Sequence, residues 1–433
     1  MLIITYHFPP RPTIGGLRLK ALAKYLPDYG WDALILTPTY DTKSPDSPTF
    51  CTITRTRYKD VSEDLAKLLK VNKGIGVREH IKNKVGLTVD NNKKSSLLHF
   101  MNFFEEIVAY PDPQKGWYKY GVKAGYEILM NEHIDVIISS SKPETCHLIA
   151  KKLHDKFDIP WVADFRDLWT QNHYYSYSFL RTIFEKRLEL KTIGSADALV
   201  TVSGPLANKL ESLHKTKKVY SIPNGYDPDE SDISNINLTT KFTITYTGTY
   251  YEGKRDPSIF FEAMVELISE SVMDPNDVEV RFFGQREEWL QVQIEQYGLQ
   301  KIVFQCGMVS REVALNKQKE SQLLLLLLWN HPDEIGVYTG KIFEYLSAQR
   351  PILSNASPYS VVSALLAETN AGISTESVKE MKNILTILYQ EFKNKGFVSY
   401  KGNLEHVKKY SHMEFAKKYS NVLDEVSGYG NIL

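Results

Sequence analysis

Six consecutive leucines, Leu323–Leu328, place the strongest restriction on the fold of this chain. The run is wholly apolar, shows no polar alternation and is bounded by polar residues on both sides. Such a pattern is typical of a parallel strand buried on both faces, and parallel strands need crossover helices. The sequence therefore predicts an α/β fold with this strand near the centre of a sheet.

A helix start follows the leucine run after a polar loop. Thr339 and Gly340 precede the apolar positions of a helix that ends before Pro351. Backbone N–H groups at a helix N-terminus favour a phosphate, and Gly340 allows a close approach. We predict that Thr339, Gly340 and Lys341 contact a phosphate and that Glu344, about one turn later, reaches sugar hydroxyls. The alternative is an ordinary strand-to-helix turn with a solvated glutamate.

The N-terminal residues repeat the pattern of strand, glycine loop and helix. A strand over 2–5, a helix over 17–25 and a strand over 31–37 predict a βαβ unit. Gly15 and Gly16 stand at the helix start, where a ligand can touch backbone N–H groups, and Arg18 follows on the first turn. A simple tight turn is the alternative.

Charged residues cluster after a later strand of the first half. The strand over 161–163 is followed by Asp164, Arg166 and Asp167. Ligands of open α/β sheets bind at the carboxyl ends of the strands. We predict that these residues hold sugar hydroxyls, a phosphate or an acceptor; a self-contained ion network is the alternative.

The second half begins after a polar linker near residues 223–241. Its predicted strands cover 242–247, 278–283 and 302–306, and a long helix over 405–426 ends the chain. Gly248 follows the first of these strands, and Lys254 with Arg255 precedes the next helix as a candidate diphosphate clamp. A solvated charged loop is the alternative.

Length and composition limit the classes of protein. A chain of 433 residues predicts two domains. The 52 basic and 52 acidic residues cancel, which argues against a dedicated nucleic-acid binder. Three widely spaced cysteines, no signal-peptide pattern and no long apolar stretch predict a cytoplasmic protein with reduced thiols and no zinc site.

Residues 40–114 interrupt the regular alternation. Between Arg55 and Lys94 there are eleven Lys/Arg and five Asp/Glu, and an apolar-rich stretch over 97–111 follows. A basic surface beside an amphipathic helix suggests contact with an anionic membrane. The alternative is an insertion with a solvated charged face.

Taken together, six segments in this order resemble the GT-B glycosyltransferases, and specifically the family 4-like retaining enzymes that use nucleotide sugars. The resemblance covers nearly all of the chain. The segments that carry it are FPPRPTIGGLRLKALAKYLPDYGW, IPWVADFRDLW, ALVTVSGPLANKL, IPNGYD, TYTGTYYEGKRDP and TGKIFEYLSAQRPIL.

The resemblance implies two Rossmann-like domains facing across a cleft. The acceptor-side domain would span 1–225, with the insertion and a C-terminal helix over about 405–433 that crosses back to it; the donor domain would span 240–400. The donor, a UDP- or GDP-sugar, would meet glycine loops, cations and backbone groups, while Asp164, Asp167 and Arg18 would bind the acceptor. The implied donor contacts are Gly15, Gly16, Gly248, Lys254, Arg255, Met308, Val309, Thr339, Gly340, Lys341 and Glu344.

The implied reaction is a metal-independent hexosyl transfer to an acceptor hydroxyl, without a cofactor. Catalytic roles would fall to Asp164, Arg166, Asp167, Lys254 and Arg255. The sequence differs from the family pattern at three positions, and these differences leave the identity of the sugar open. Gly336 stands where the family has a glutamate, although Glu334 is nearby. Thr249 replaces an arginine, and Arg166 replaces a histidine.

The sequence does not determine the class of acceptor or the pathway. A lipid-linked sugar at the inner membrane face, in bacterial polysaccharide or glycolipid synthesis, and a soluble molecule are both compatible with the sequence. A nucleotide-sugar epimerase of the same fold and a non-catalytic partner of a glycosyltransferase are the alternative functions.

Overall fold

Two compact units make up the chain in the computed structural model, which describes residues 1–10, 14–39, 48–59, 109–174, 177–234 and 236–428. Unit 1 contains Met1–Val202, Leu206–Ile222 and Ala416–Leu433. Unit 2 contains Ser203–Pro205 and Pro223–Phe415. The segment predicted as the linker therefore falls in unit 2.

The first sheet has seven parallel strands in the order β3-β2-β1-β4-β5-β6-β7. Its strands are β1 (Leu2–Thr5), β2 (Leu34–Pro38), β3 (Thr52–Thr56), β4 (Ile137–Ser141), β5 (Trp161–Phe165), β6 (Ala198–Thr201) and β7 (Lys218–Ser221). The helices of this part of the chain are α1 (Ile14–Tyr25), α2 (Tyr118–Asn131), α3 (Thr145–Phe157), α4 (Phe179–Ile193) and α5 (Gly204–Leu213).

The second sheet has six parallel strands in the order β10-β9-β8-β11-β12-β13. Its strands are β8 (Phe242–Thr247), β9 (Val278–Phe283), β10 (Val303–Gly307), β11 (Leu323–Leu326), β12 (Ile352–Ser354) and β13 (Gly372–Ser374). The helices that follow are α6 (Ser258–Ser269), α7 (Glu288–Gln296), α8 (Arg311–Lys319), α9 (Gly340–Ala348), α10 (Val361–Thr369), α11 (Val378–Lys395), α12 (Leu404–Lys408) and α13 (His412–Ser427).

Burial explains why the leucine run becomes a strand. All four residues of β11 are inaccessible to solvent, and β11 lies between β8 and β12 with helices on both faces of the sheet. Leu323 and Leu325 pack into one core cluster, while Leu324 and Leu326 pack into another. A strand covered on both faces needs apolar residues at every position, which confirms the interpretation of the run.

One structural prediction is wrong, and the described part of another segment contains a strand that was not predicted. The predicted insertion over 40–114 contains β3, an edge strand that pairs with β2; its sequence, TITRT, lacks the apolar run by which the inner strands were found. The predicted single C-terminal helix is broken into α12 and α13. The break follows from a backbone bridge, because Tyr226 N donates to Tyr410 O and His412 N donates to Tyr226 O.

The end of α13 packs in unit 1. Trp31 Nε1 donates to Asp424 Oδ1 at 2.8 Å, and Tyr220 Oη donates to Glu425 Oε2 at 2.6 Å. No helix in the described part of the chain is long and apolar enough to cross a membrane. Most of the predicted membrane-contact segment, residues 60–108, lies outside the described residues.

Candidate functional site

The strand order reverses once in each sheet, which marks the expected ligand edge. In the first sheet the reversal lies between β1 and β4, and in the second it lies between β8 and β11. Open α/β sheets bind ligands beside the carboxyl ends of the strands at such a point. In unit 2, the loop 248–257 after β8 and the loop 327–339 after β11 meet this edge.

Two cations of unit 2 share one backbone oxygen at this edge. Lys341 Nζ donates to Thr249 O at 2.9 Å and to Tyr246 Oη at 2.6 Å, and Arg255 Nη1 donates to the same Thr249 O at 2.7 Å. Within the described ranges, neither cation forms an ion pair. Two positive charges thus converge on a neutral acceptor.

Burial makes the Lys341 charge costly. It lowers the pKa of Lys341 well below the ordinary 10.5; the Arg255 charge lowers it further, while Glu344 opposes the shift. An anion at this position would raise the pKa again, because a nearby opposite charge favours the ionised lysine. The geometry is therefore suited to a phosphate group.

Gly248 makes room for the Lys341 side chain. Its φ is +98°, and a Cβ at this position would lie 2.6 Å from Lys341 Cε. Both the left-handed backbone and the close approach require glycine.

Lys254 and Arg255 are neighbours in sequence but diverge in space. Lys254 Nζ lies 4.5 Å from the centroid of the Trp329 ring, in a cation–π contact that joins the loop after β8 to the loop after β11. The Arg255 guanidinium lies over Tyr251 and reaches the Thr249 carbonyl. Arg255, rather than Lys254, therefore stands beside Lys341.

Glu344 lies on the second turn of α9 and is held by an arginine that we did not predict. Arg311 Nη2 lies 3.5 Å from Glu344 Oε1, and Arg311 Nη1 lies 2.6 Å from Glu230 Oε1. Gln318 Nε2 also donates to Glu344 Oε2 at 3.4 Å. Burial raises the pKa of Glu344, and the Arg311 charge opposes that rise. The carboxylate is thus oriented before any ligand binds.

The remaining predicted donor residues of unit 2 lie at the same edge of the second sheet. Thr339 and Gly340 form the N-terminus of α9, and no side-chain bond caps it. Met308 and Val309 directly follow β10, and Met308 is 77% exposed. Because β9 separates β10 from β8, these two residues are farther from the cations than the α9 residues are.

In unit 1, the predicted acceptor residues Arg18 and Asp164 neutralise each other. Arg18 Nη2 lies 2.9 Å from Asp164 Oδ1, both side chains are buried, and Ser140 Oγ donates to Asp164 Oδ2 at 2.7 Å. Arg18 Nη1 also donates to Ile222 O at 3.1 Å. This arrangement joins α1, β4 and β5, and it favours a structural role for the pair.

Arg166 contacts the end of β4 and the start of α1 and does not pair with the neighbouring aspartates. Its Nε donates to Ser141 O at 2.7 Å and its Nη2 to Lys142 O at 2.6 Å. Its Nη1 fills the space that a Cβ on Gly15 would need, at 1.6 Å from that position. Gly16 has ordinary room, with His7 O at 3.5 Å, and Asp167 is exposed. Asp164, Arg166 and Asp167 therefore do not form one ion network.

Comparison with known proteins agrees with this architecture. The Glycosyltransferase Family 4 model matches residues 100–230. A sucrose-phosphate synthase from Thermosynechococcus elongatus superposes with a TM-score of 0.62 at 13% identity, covering 99% of each chain. The chain has the GT-B glycosyltransferase fold. The predicted resemblance to GT-B glycosyltransferases and the predicted α/β fold class are confirmed.

Two further GT-B structures resemble the chain. Anabaena Alr3699/HepE in complex with UDP and glucose has a TM-score of 0.60 at 13% identity and covers 98% of this chain and 100% of its own. The lipopolysaccharide outer core galactosyltransferase WaaB has a TM-score of 0.56 at 11% identity, with coverages of 98% and 99%. No curated protein sequence matches the chain.

Proposed function

We propose that the protein transfers a hexosyl group from a nucleotide sugar to an acceptor hydroxyl, with retention of the anomeric configuration. The observation that carries the proposal is the convergence of Arg255 and Lys341 on the carbonyl of Thr249 at the ligand edge of the second sheet. Two cations whose described hydrogen-bond acceptors, Thr249 O and Tyr246 Oη, are neutral suit a diphosphate. The HepE complex with UDP and glucose supports a UDP-sugar as donor, and a GDP-sugar is the other candidate.

In the proposed reaction, the bond between the anomeric carbon and the diphosphate oxygen breaks, and its electron pair stays on that oxygen. Arg255, Lys341 and the N-terminus of α9 would stabilise this developing negative charge. The acceptor oxygen forms the new bond on the same face, and its proton passes to the departing phosphate. Positioned cations supply the stabilisation that a metal ion gives elsewhere, so we propose a metal-independent enzyme.

The remaining donor contacts follow from position. Glu344 would accept hydrogen bonds from the ribose hydroxyls, and the backbone after β10, at Met308 and Val309, would meet the base. Lys254, held over Trp329, would shape the loop and contribute charge at longer range. In unit 1, the exposed carboxylate of Asp167 is the better candidate for an acceptor contact, because Asp164 is buried against Arg18.

We further propose a cytoplasmic enzyme that works at the inner face of the membrane in bacterial polysaccharide or glycolipid synthesis. The similarity to a lipopolysaccharide galactosyltransferase supports this setting. The acceptor would be a hydroxyl-bearing sugar, either lipid-linked or soluble.

The first experiment measures thermal unfolding against a panel of nucleoside diphosphates and their sugars. A ligand at one hundred times its Kd stabilises by about 2.7 kcal/mol, so a genuine donor raises the melting temperature selectively. Release of the nucleoside diphosphate is then measured with candidate acceptors, with and without a chelator. We expect release that needs the acceptor and is unaffected by the chelator.

Other outcomes separate the alternatives. Interconversion of two nucleotide sugars without acceptor or diphosphate release identifies an epimerase. The absence of any selective stabilisation points to a non-catalytic partner. Loss of activity with the chelator, restored by a divalent cation, contradicts the metal-independent mechanism.

A further inference from the structure

Helix α4 (Phe179–Ile193) reverses the usual arrangement of a surface helix. Surface helices of globular proteins bury apolar residues and expose charged ones. In α4, the buried set includes Arg181, Glu185 and Glu189. The exposed large apolar residues are Phe179 at 79%, Leu180 at 56%, Phe184 at 54% and Leu190 at 40%.

Hydrogen bonds explain why both carboxylates of α4 face inward. Arg181 Nε donates to Glu185 Oε1 at 2.7 Å, and Trp169 Nε1 donates to Glu185 Oε2 at 2.8 Å. Glu189 accepts hydrogen bonds from the backbone and the hydroxyl of Thr170. These polar contacts, together with buried Ile193 and half-buried Leu188, anchor the helix, so the exposed apolar residues at its N-terminal end are not needed for packing.

Arg181 ties the same face to the preceding chain. Its Nη2 donates to Pro111 O at 2.9 Å, and its guanidinium lies 5.0 Å from the Tyr110 ring and 4.6 Å from the Tyr177 ring. These contacts fix the rotation of α4 about its axis, and they fix which side chains point outward.

The outward side chains of α4 combine apolar and cationic groups. Residues three or four apart in a helix lie on the same face. By this spacing one face of α4 contains positions 179, 180, 183, 184, 186, 187, 190 and 191. Besides the apolar residues, this face presents Lys186, Arg187 and Lys191, all of which are exposed. Within α4, the outward face carries no negative charge.

We infer that this outward face of α4 binds an anionic lipid surface. Phenylalanine and leucine side chains enter the boundary between headgroups and acyl chains, while long cationic side chains reach the headgroups. The cationic side chains call for a negatively charged partner. The face of a single helix is convex and presents no specific polar acceptor, so a broad and fluid surface fits it better than a defined binding partner. The inference rests on the peripheral location proposed above and does not depend on sugar transfer.

The test is co-sedimentation of the full chain with vesicles of phosphatidylcholine alone or mixed with phosphatidylglycerol. We expect binding to the mixed vesicles that weakens as salt is raised, because the lysine and arginine contacts are screened. The variant Lys186→Gln/Arg187→Gln should bind about twenty-fivefold more weakly, at roughly fivefold per cation. Leu180→Gln/Phe184→Gln should bind at least about tenfold more weakly.

Matched controls change equally exposed residues elsewhere. Ile387 on α11 is 58% exposed, and Lys417 and Lys418 on α13 are exposed. Ile387→Gln and Lys417→Gln/Lys418→Gln should bind vesicles as the parent chain does. Nucleotide stabilisation should be unchanged in all four variants, which separates this inference from the proposed function.

Two results overturn the inference. Either the parent chain fails to bind the mixed vesicles, or the α4 variants bind them as tightly as the parent chain. In the second case, a change in the oligomeric state of the α4 variants, measured by light scattering, identifies a second copy of the chain as the occupant.

Discussion

At the strand-order reversal of the first sheet, Arg18 and Asp164 neutralise each other, whereas at that of the second sheet Arg255 and Lys341 share the neutral carbonyl of Thr249. In the first arrangement the two charges neutralise each other, and all three guanidinium nitrogens of Arg18 donate hydrogen bonds within the chain. The second leaves a positive field at a buried position, which an anion from outside can neutralise. The same topology thus supports a structural ion pair in one unit and a candidate ligand site in the other.

The largest expected effect is on stability, from breaking the balanced pair. Asp164→Ala leaves Arg18 buried without its carboxylate, which should lower the free energy of unfolding by about 3–5 kcal/mol. Denaturant titration measures the loss. Asp155→Ala is the control, because the Asp155 side chain is 46% exposed in its pair with Lys151 and the pair should contribute less than about 1 kcal/mol. A stable but inactive Asp164→Ala would instead support a direct role in the reaction.

Removing a cation from the second arrangement should affect ligand binding more than stability. Arg255→Ala or Lys341→Met should weaken nucleoside diphosphate binding about 10- to 100-fold, since a hydrogen bond from a charged group contributes about 1.5–3 kcal/mol. Isothermal titration calorimetry measures the Kd. Lys254→Ala should have a smaller effect, because its ammonium lies over Trp329. A larger loss for Lys254→Ala would reassign the diphosphate contact to that residue.

Substitutions of two neighbouring glycines test whether the Arg166 contacts stabilise the region around the strand-order reversal of the first sheet. Gly15→Ala forces the Arg166 guanidinium away from the carbonyls of Ser141 and Lys142, and should cost about 1–3 kcal/mol of stability. Gly16→Ala meets only ordinary contacts and should be neutral or slightly stabilising. Chemical denaturation compares the two. Equal effects would show that Arg166 adjusts without cost.

The smallest effect is a pH dependence that comes from Lys341. Because its folded-state pKa lies below the ordinary 10.5, the unfolded chain binds more protons between these two values, and stability should rise with pH across that window. Nucleotide affinity should fall over the same window as the lysine loses its charge. Lys341→Met should lack both trends. Identical pH profiles for the two chains would show that Lys341 stays charged throughout.

Local patterns predicted most of the sheet elements. Apolar runs such as Leu323–Leu326 and Phe242–Thr247 were recognisable because inner parallel strands must be apolar on both faces. The edge strand β3 was missed because half-buried edge positions accept threonine and arginine. The break between α12 and α13 could not be predicted, since it depends on a backbone bridge to Tyr226, far away in the sequence.

The candidate site was predictable in its location but not in its pairings. The glycine loops, Lys341 and Glu344 carry local signals, because a helix N-terminus after a strand can be recognised from sequence. The partner of Asp164 is 146 residues away, and Arg311 meets Glu344 from a different helix. Neither the Arg18–Asp164 pair nor the Arg311–Glu344 pair produces a local pattern that can be recognised in a single sequence. Trp329 does have a signal, as an aromatic residue just after the central strand.

The shared carbonyl of Thr249 affects which anions the site can bind. Both cations already donate to this oxygen, so an incoming ligand replaces existing hydrogen bonds and does not simply add new ones. A monovalent anion therefore gains little over the carbonyl dipole, whereas a diphosphate meets both cations with several oxygens at once. We therefore expect the site to select ligands by their charge and to bind polyanions in preference to chloride.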